Sequence, residues 1–449
     1  MLRIYDSLTR QTRPFAPIVP GQVGIYVCGQ TVYDAPHLGH ARKDLGFDVV
    51  VRWLEASGYA VTYVRNLTDI DDKIIQRAGE LGEPIASFTQ RMIDKTNADY
   101  AALRLRAPDH EPRATAYVAE MIGLAGELEA ENVAYHSGDL FYAVRAFDGY
   151  GKLSHRSLDD MRAGERIDVD TRKRDPMDFV LWKVGKEGEP DDAIWPSPWG
   201  AGRPGWHLEC SAMARALLGK TIDIHGGGPD LRFPHHENEI AQSEAANHAP
   251  LANWWMHVGQ LDIGGDKMSK SLGNFTTLEE AIARFGGEVV RFYFVRTHYR
   301  SPVNFSEAGL VDAASGLERL HNAMRSTPGD GAPLDWDEAH AQRFRAAMDD
   351  DFNAPAAMAV LFELVGEVNR GRSPALARQL AALAAILGLS LPEAGADPDA
   401  AAIQALVDAR SAARAARNFA EADRIRDELT ARGVVLEDGA QGVTWRRAR

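Results

Sequence analysis

The chain has 449 residues, of which 45% are hydrophobic and 25% charged, and this length and composition indicate a globular protein of about three domains. No run reaches the roughly 18 apolar residues of a membrane span, and residues 1–20 lack the apolar segment of a signal peptide, so we expect a cytoplasmic protein with no membrane contact. The formal net charge of −14 argues against broad, nonspecific binding to nucleic acid.

Residues 1–107 are predicted to form the first half of a parallel α/β sheet. Residues 25–27 have the continuous apolar character of a buried parallel strand. A turn is expected at Gly29, and apolar residues at helical spacing then predict a helix over residues 40–56. Strand, turn and helix in this order form the phosphate-binding unit of doubly wound folds, because amide groups at the helix N-terminus meet the anion.

Two short motifs together predict an ATP site. Residues 37–40 place two imidazoles at the turn into the predicted helix, and a glycine-bracketed loop far later in the chain carries two lysines and two hydroxyls. Either motif alone is weak evidence, but the pair is typical of a site that transfers adenylate to a carboxylic acid. We therefore expect ATP to contact His37, Gly39, His40, Lys267, Met268, Ser269, Lys270 and Ser271.

Two further segments place polar groups at the carboxyl edge of the same sheet. A strand predicted at residues 60–64 leads to Thr68, and a strand at residues 221–224 leads to His225 and three glycines. Ligands bind outside the carboxyl ends of strands in such sheets, and successive glycines let the backbone approach a ligand closely. Both segments are therefore expected to line a substrate site.

The region between these segments has a different pattern. Residues 108–205 carry predicted strands at 139–144 and 178–183 and a long loop at 187–202, so we predict an insertion there. The second half of the catalytic domain is expected over residues 206–265.

A metal site is predicted from two lone cysteines and one helix. Residues 233–240 open a helix, and on it an imidazole and a carboxylate four residues apart share one face. With two thiolates from elsewhere they make a tetrahedral zinc set: Cys28, Cys210, His235 and Glu239. His236 with Glu239 is the local alternative, and two buried free cysteines are the simplest one. A zinc protease is excluded because Ile240 stands where its second histidine would be.

The C-terminal part is predicted to be helical and then basic. Residues 308–389 are expected to form a helical bundle, followed by a proline-containing linker, and residues 401–449 a small α+β module. In that module we predict one helix over residues 403–431 and a hairpin that turns at Asp438-Gly439. The module has nine arginines, no lysine and seven acidic residues, so it is locally net positive in an acidic chain.

With these motifs, the chain resembles the cysteinyl-tRNA synthetase family of class I aminoacyl-tRNA synthetases over nearly its whole length. The resemblance is carried by long segments: residues 26–34, 37–40, 66–73, 205–213, 225–228, 233–239 and 267–271. Leu38 is a departure, since isoleucine is commoner there, but the exchange is isosteric.

The resemblance implies a Rossmann-like doubly wound catalytic domain with an insertion, a loop and stem-contact region over residues 266–307, a helical bundle and an anticodon-binding module. The enzyme would activate L-cysteine with ATP and Mg²⁺ and transfer it to the 3′ end of tRNA(Cys). His37, His40, Lys267 and Lys270 would stabilise charge on the phosphates, with Lys270 the principal ATP contact of the second motif.

The resemblance also implies residue roles elsewhere. One zinc ion per chain would be held by Cys28, Cys210, His235 and Glu239, and would select cysteine against serine. The cysteine pocket would contain Cys28, Gly29, Thr68, Trp206, His225 and Asp230. The anticodon contacts would be Arg414, Asp423 and Asp438. We expect a monomer.

Two other functions fit parts of the pattern. A ligase of mycothiol-type biosynthesis, which joins activated cysteine to an amino-sugar, shares both ATP motifs and the zinc site but needs no anticodon module. A catalytically silent relative that binds RNA or a partner would have lost a motif residue, and none is missing here.

Overall fold

The structure, a computed structural model, describes residues 1–157, 170–263, 277–391, 400–439 and 442–447. The strands are β1 (Arg3–Asp6), β2 (Gln11–Pro14), β3 (Gln22–Thr31), β4 (Ala60–Thr68), β5 (Ala134–Ser137), β6 (Asp139–Tyr142), β7 (Phe179–Val184), β8 (Gly202–Pro204), β9 (Ile222–Gly227), β10 (Ala252–His257), β11 (Leu261–Ile263), β12 (Val303–Phe305), β13 (Val434–Gly439) and β14 (Gly442–Arg447). The helices are α1 (Leu38–Ala56), α2 (Asp72–Leu81), α3 (Ile85–Ala102), α4 (Val118–Ala130), α5 (Trp206–Leu218), α6 (His235–Asn247), α7 (Leu278–Phe285), α8 (Gly287–Val295), α9 (Glu307–Ser326), α10 (Ala339–Asp349), α11 (Ala354–Gly371), α12 (Pro374–Ile386), α13 (Ala400–Ala415) and α14 (Phe419–Ala431).

A parallel sheet of order β10-β9-β3-β4 forms the centre of the catalytic part. Alternate residues of β3 face opposite layers, as the two-residue period of a strand requires. Ile25 and Val27 pack in one hydrophobic cluster with α1, α8 and the helices that follow, whereas Tyr26 and Cys28 pack in a second cluster with α3 to α6. The predicted α/β class with a parallel sheet is confirmed.

Two central strands extend beyond their predicted ends. The predicted strand at residues 60–64 continues through β4 to Thr68, and the strand at 221–224 continues through β9 to Gly227. His225 and the first two glycines are therefore paired strand residues rather than a loop after the strand. The sheet fixes their backbones, and with them the direction of the His225 side chain.

The predicted insertion contains an antiparallel sheet of order β5-β6-β7-β8. The strand expected over residues 139–144 ends at Tyr142, and Val144–Ala146 forms a 3₁₀ turn instead. The reason is a side-chain acceptor: Val144 N–H donates to Asp178 Oδ1 at 2.9 Å, which turns the chain away from the ladder. The predicted loop at 187–202 likewise holds a 3₁₀ turn, Asp191–Ala193, and its last residue begins β8.

The C-terminal module has its own small core, in which Ile403, Val407, Ile425, Leu429 and Val434 are buried together. The single helix predicted over residues 403–431 was wrong, because α13 and α14 are separate. Arg417 between them has a left-handed φ of 58°, and the Asn418 side chain caps α14 by accepting from Glu421 N–H at 3.3 Å.

The hairpin is confirmed, but Asp438 and Gly439, predicted for its turn, are paired strand residues opposite Val443 and Gly442. No helix in the described ranges is long and apolar enough to cross a membrane.

Candidate active site and metal centre

The carboxyl end of β3 carries the first irregularity of the site. The pairing of β3 with β4 shifts register between Val27 and Gln30, so Cys28 and Gly29 form a bulge. A Cβ atom at Gly29 would lie 1.6 Å from the Asn66 carbonyl oxygen, so only glycine permits this approach.

The first predicted ATP motif forms the N-terminal cap of α1. The Nδ1 atom of His37 accepts from Gly39 N–H at 3.0 Å, and the Nδ1 atom of His40 accepts from His37 N–H at 3.2 Å. The two rings stack with centroids 3.8 Å apart. A Cβ at Gly39 would lie 2.9 Å from the His37 ring, which explains the glycine between them.

The surroundings of both imidazoles favour the neutral ring. Burial lowers the pKa of His37 in spite of the opposing charge of Asp230. Burial, and then the nearby His37 and Lys43, lower the pKa of His40 well below its usual range. The two rings can therefore donate hydrogen bonds to phosphate oxygens, but positive charge has to come from other groups.

The second predicted ATP motif, Lys267 to Ser271, lies outside the described residues. The chain re-enters the described structure at Thr277, which forms a β-bridge with His37 and caps α7 with Glu280. Thr277, six residues after Ser271 in the sequence, therefore lies beside the first motif.

The predicted metal ligands come together in one buried cluster. One ligand atom from each of Cys28, Cys210, His235 and Glu239 lies within 4.8 Å of the others. Cys28 Sγ is 3.3 Å from Glu239 Oε1, and His235 Nε2 is 3.1 Å from the same oxygen. The β3 bulge supplies Cys28, the N-terminal part of α5 supplies Cys210, and the first turns of α6 supply the other two.

The chemistry of this cluster fits a metal ion. The buried Nε2 atom of His235 has Glu239 Oε1 3.1 Å away but no hydrogen bond of regular geometry to a described residue. Its Nδ1 lies 2.9 Å from His207 Nδ1, which orients the ring. Two sulfurs, one nitrogen and one oxygen are a tetrahedral donor set. A hydrogen bond from Cys28 is the main cause that lowers the pKa of Cys210 to about 6, whereas burial raises the pKa of Cys28. His225 and His235 outweigh burial and hold the pKa of Glu239 well below its usual range.

The local alternative, His236, also lies beside this cluster. Cys28, His225, His236 and Glu239 form a second set with ligand atoms within 4.8 Å. His236 Nε2 is 4.0 Å from Glu239 Oε1, and its Nδ1 lies 2.9 Å from His257 Nε2. Both sets share Cys28 and Glu239, and they differ in that the first has two sulfur donors.

Three residues predicted for the cysteine pocket border the metal centre. The Trp206 ring, 38% exposed, stacks on His235 with centroids 4.2 Å apart. His225 Nε2 lies 2.7 Å from Glu239 Oε2. Thr68, the last residue of β4, donates from Oγ1 to Glu209 Oε2 at 2.8 Å.

Asp230 lies in the 3₁₀ helix Pro229–Arg232, close enough to His37 to influence its pKa. Trp206 and His225 thus contact the predicted metal ligands, whereas Asp230 lies near the first ATP motif. The partly exposed ring of Trp206 brings this region to the protein surface.

Several side chains in this region were not predicted as site residues. Asn66 lies two residues before Thr68 and Glu209 directly before Cys210, so these neighbours in the sequence could have indicated them. Nothing in the sequence indicated Lys43, because lysine is rarely buried. It is nevertheless only 5% exposed, and its Nζ atom donates to the Cys28 carbonyl oxygen at 2.7 Å.

The predicted anticodon residues lie on the C-terminal module. Arg414 is exposed near the end of α13, and Asp423 is exposed on α14, where it pairs with Arg426 at 2.9 Å. Asp438 belongs to β13. Phe419, the first residue of α14, is 63% exposed.

Comparisons with known proteins agree with this geometry. Residues 14–315 match the family model of the tRNA synthetases class I (C) catalytic domain. Residues 343–391 match the DALR domain, and residues 398–446 match the cysteinyl-tRNA ligase anticodon binding domain.

Solved structures with low sequence identity share the fold. A methionyl-tRNA synthetase from Mycobacterium tuberculosis, in complex with methionyl-adenylate, is 16% identical with a TM-score of 0.58, over 82% of this chain and 90% of that one. A leucyl enzyme, LeuRS, from Agrobacterium radiobacter K84 is 14% identical with a TM-score of 0.60, over 84% of this chain and 85% of that one.

Relatives of known name match along the entire chain. A cysteine--tRNA ligase from Janthinobacterium sp. (strain Marseille) is 57% identical, over 100% of this chain and 99% of that protein. One from Laribacter hongkongensis is 57% identical over 100% of both. Together with the class I catalytic match over residues 14–315, they show that the chain belongs to the cysteinyl-tRNA synthetase family of class I aminoacyl-tRNA synthetases.

Proposed function

We propose that the chain is a cysteine--tRNA ligase, which activates L-cysteine with ATP to cysteinyl-adenylate and transfers the cysteinyl group to the 3′ end of tRNA(Cys). The observation that carries this proposal is the buried cluster of two thiols, an imidazole and a carboxylate beside the His37–His40 cap. We infer that a thiol-recognising centre and a nucleotide-binding turn act together at the carboxyl edge of the sheet, where Lys43 of α1 bonds the Cys28 carbonyl.

The proposed resident metal is one zinc ion, held by Cys28, Cys210, His235 and Glu239. We favour His235 over His236 because its set contains two sulfurs, the donors that zinc prefers in structural and thiol sites. A zinc ion in this position would supply selectivity, because it binds a thiolate far better than a hydroxyl. Apolar pockets separate such isosteres only by about 10²-fold, so selection against serine would need this contribution.

In the first step, the cysteine carboxylate attacks the α-phosphorus of ATP and diphosphate leaves. His37 and His40 would donate hydrogen bonds from neutral rings, since burial lowers the pKa of both. Positive charge would come from Lys267 and Lys270 and from the Mg²⁺ that accompanies ATP. Catalysis would therefore rest on positioning and on charge stabilisation in the transition state.

In the second step, a ribose hydroxyl of the terminal adenosine of tRNA attacks the adenylate carbonyl and AMP leaves. We assign anticodon recognition to the C-terminal module, with Arg414, Asp423 and Asp438 as base contacts and Phe419 as a stacking surface. We propose that the protein acts as a monomer in the cytoplasm.

The amino-sugar ligase is the disfavoured alternative, because that reaction has no use for an anticodon module. Residues 398–446 match a module of that kind, and they pack around a core of their own.

The test is ATP–diphosphate exchange with each amino acid in turn, together with charging of tRNA(Cys). Only cysteine should support exchange, and serine should fail by at least roughly 10⁴-fold. Exchange with another amino acid, or cysteine-dependent exchange with no charging of tRNA(Cys), would contradict the proposal.

A further inference from the structure

The peptide that joins Cys28 to Gly29 has lost its regular strand partners. It lies in the bulge of β3, where the pairing with β4 shifts between Val27 and Gln30. A bulge re-aims a side chain and leaves backbone groups without ladder partners, and here the re-aimed side chain is a proposed zinc ligand. Something other than the ladder has to hold this peptide in place.

Two buried side chains form hydrogen bonds with the carbonyl and the N–H group of this peptide. Lys43 Nζ donates to the Cys28 carbonyl oxygen at 2.7 Å, and Gly29 N–H donates to Asn66 Oδ1 at 2.8 Å. Lys43 is 5% exposed and Asn66 is 1% exposed. The same Asn66 oxygen lies 3.7 Å from Cys210 Sγ, so one amide contacts both cysteine segments.

Lys43 is held by a charge network that belongs to α1 and its neighbours. Its ammonium lies 3.3 Å from Asp44 Oδ1, and the Asp44 carboxylate accepts from Tyr100 at 2.5 Å and lies 3.9 Å from Arg65. Burying a lysine is costly unless its charge is paired and its protons are bonded. Asp44 supplies the paired charge, and the Cys28 carbonyl takes a further hydrogen bond.

The position of Lys43 on α1 gives this bond a consequence. Lys43 follows His40 by one helical turn, so the helix that begins with the ATP motif also grips the peptide of a thiol ligand. In the function proposed above, the thiol centre would hold cysteine by its sulfur and the cap of α1 would hold ATP, so this connection lies between the sites of the two substrates. A misplacement of about 1 Å between reactants can cost roughly 10²-fold in rate.

We propose that Lys43 and Asn66 are positioning residues that clamp the Cys28–Gly29 peptide and thereby fix the thiol centre relative to the ATP motif. This inference rests on the function proposed above. It assigns no contact with substrate to either residue. Loss of the clamp should loosen the metal centre and slow adenylation together, while the affinity for ATP stays nearly unchanged.

The variants separate the clamp from the charge pair. Lys43→Met removes the donor but leaves Asp44 charged, whereas Lys43→Met with Asp44→Asn removes the donor and both charges. Asn66→Ala removes the other end of the clamp, and Lys186→Met, at an exposed lysine, is the control. Thermal unfolding identifies which variants are folded.

Two readouts are measured on purified zinc-loaded protein: the rate of zinc release to a chromogenic chelator, and kcat and KM for cysteine-dependent diphosphate exchange. We expect the double variant and Asn66→Ala to release zinc at least about 10-fold faster and to lose at least about 10-fold in kcat, the effect typical of lost outer-shell partners. KM for ATP should stay within about 3-fold.

Folded variants that match wild type in both rates would overturn the clamp. The clamp would also be overturned if the double variant regained the slow zinc release and the kcat that Lys43→Met had lost. The unpaired charge of Asp44 would then be the whole cause of the loss. Failure of the wild type itself to bind zinc or to exchange diphosphate would count against the proposed function instead, so the two failures are distinguishable.

Discussion

Gly29→Ala tests whether the close approach of β3 to β4 is needed for activity. The new Cβ would lie 1.6 Å from the Asn66 carbonyl oxygen and 2.7 Å from its carbonyl carbon, whereas ordinary contacts begin at 3.4 Å. Both atoms belong to backbone, so no side chain can move aside. The two strand ends have to separate by more than about 1 Å, because a packed interior has no spare volume.

This separation sets the expected magnitudes. Overpacking of a core typically costs about 1–3 kcal/mol of unfolding free energy, and a shift of about 1 Å between reactants can cost ~10²-fold in rate. We therefore expect Gly29→Ala to fold with a lower melting temperature and to lose at least about 10²-fold in cysteine-dependent diphosphate exchange.

Gly79→Ala is the matched control, because Gly79 is an exposed residue of α2 whose added Cβ would contact nothing within 4 Å. It should raise stability by about 0.5–1 kcal/mol, as a glycine-to-alanine change in a helix does, and leave exchange unchanged. A folded Gly29→Ala protein that exchanges diphosphate within about 3-fold of wild type would refute the reasoning.

Four further predictions follow from the site and the module. Cys210→Ser should lose most of the roughly one zinc per chain, measured by metal analysis, and fresh wild-type protein without zinc would end the zinc assignment. Lys270→Ala should lower the adenylation rate by about 10²-fold with little change in cysteine KM, and the reverse pattern would give Lys270 another role. Burial and then His37 and Lys43 lower the pKa of His40 in the folded protein. As the pH falls, His40 is therefore protonated in the unfolded chain before it is protonated in the folded one. The free energy of unfolding should thus fall as the pH drops below about 6.5. Urea titrations at several pH values should show that this fall is less steep in His40→Asn than in the wild type. Deleting residues 398–449 should preserve diphosphate exchange but cut tRNA charging by at least roughly 10²-fold, and equal charging would exclude a separable anticodon module.

The metal ligands show how far local sequence patterns reach. The spacing of His235 and Glu239 on one helix face predicted that both point to one site, because that geometry is local. The sequence also marked Cys28 and Cys210 through the motifs beside them. It could not decide between His235 and His236, because that choice depends on how α6 packs against β9 and α5.

The residues that hold the ligands were not predictable in this way. The β3 bulge depends on its pairing with β4, and the burial of Lys43 depends on how α1 packs over β3. Both are long-range facts with no local signature. The break between α13 and α14 is different, since Asn418 and Glu421 have the spacing of a helix N-terminus and could have been recognised.

The sheet itself explains why the two halves of the site need a connection through backbone. The Cys28 side chain faces the layer that contains α5 and α6, whereas α1 packs with the opposite cluster beside Ile25 and Val27. A side chain on α1 cannot reach the metal cluster directly across β3. The Cys28 carbonyl, by contrast, accepts a hydrogen bond from Lys43 of α1. The Cys28–Gly29 peptide therefore contacts both layers: its carbonyl bonds to α1, and the Cys28 side chain packs with α5 and α6. Through this peptide the helix of the ATP motif can determine where the thiol centre lies.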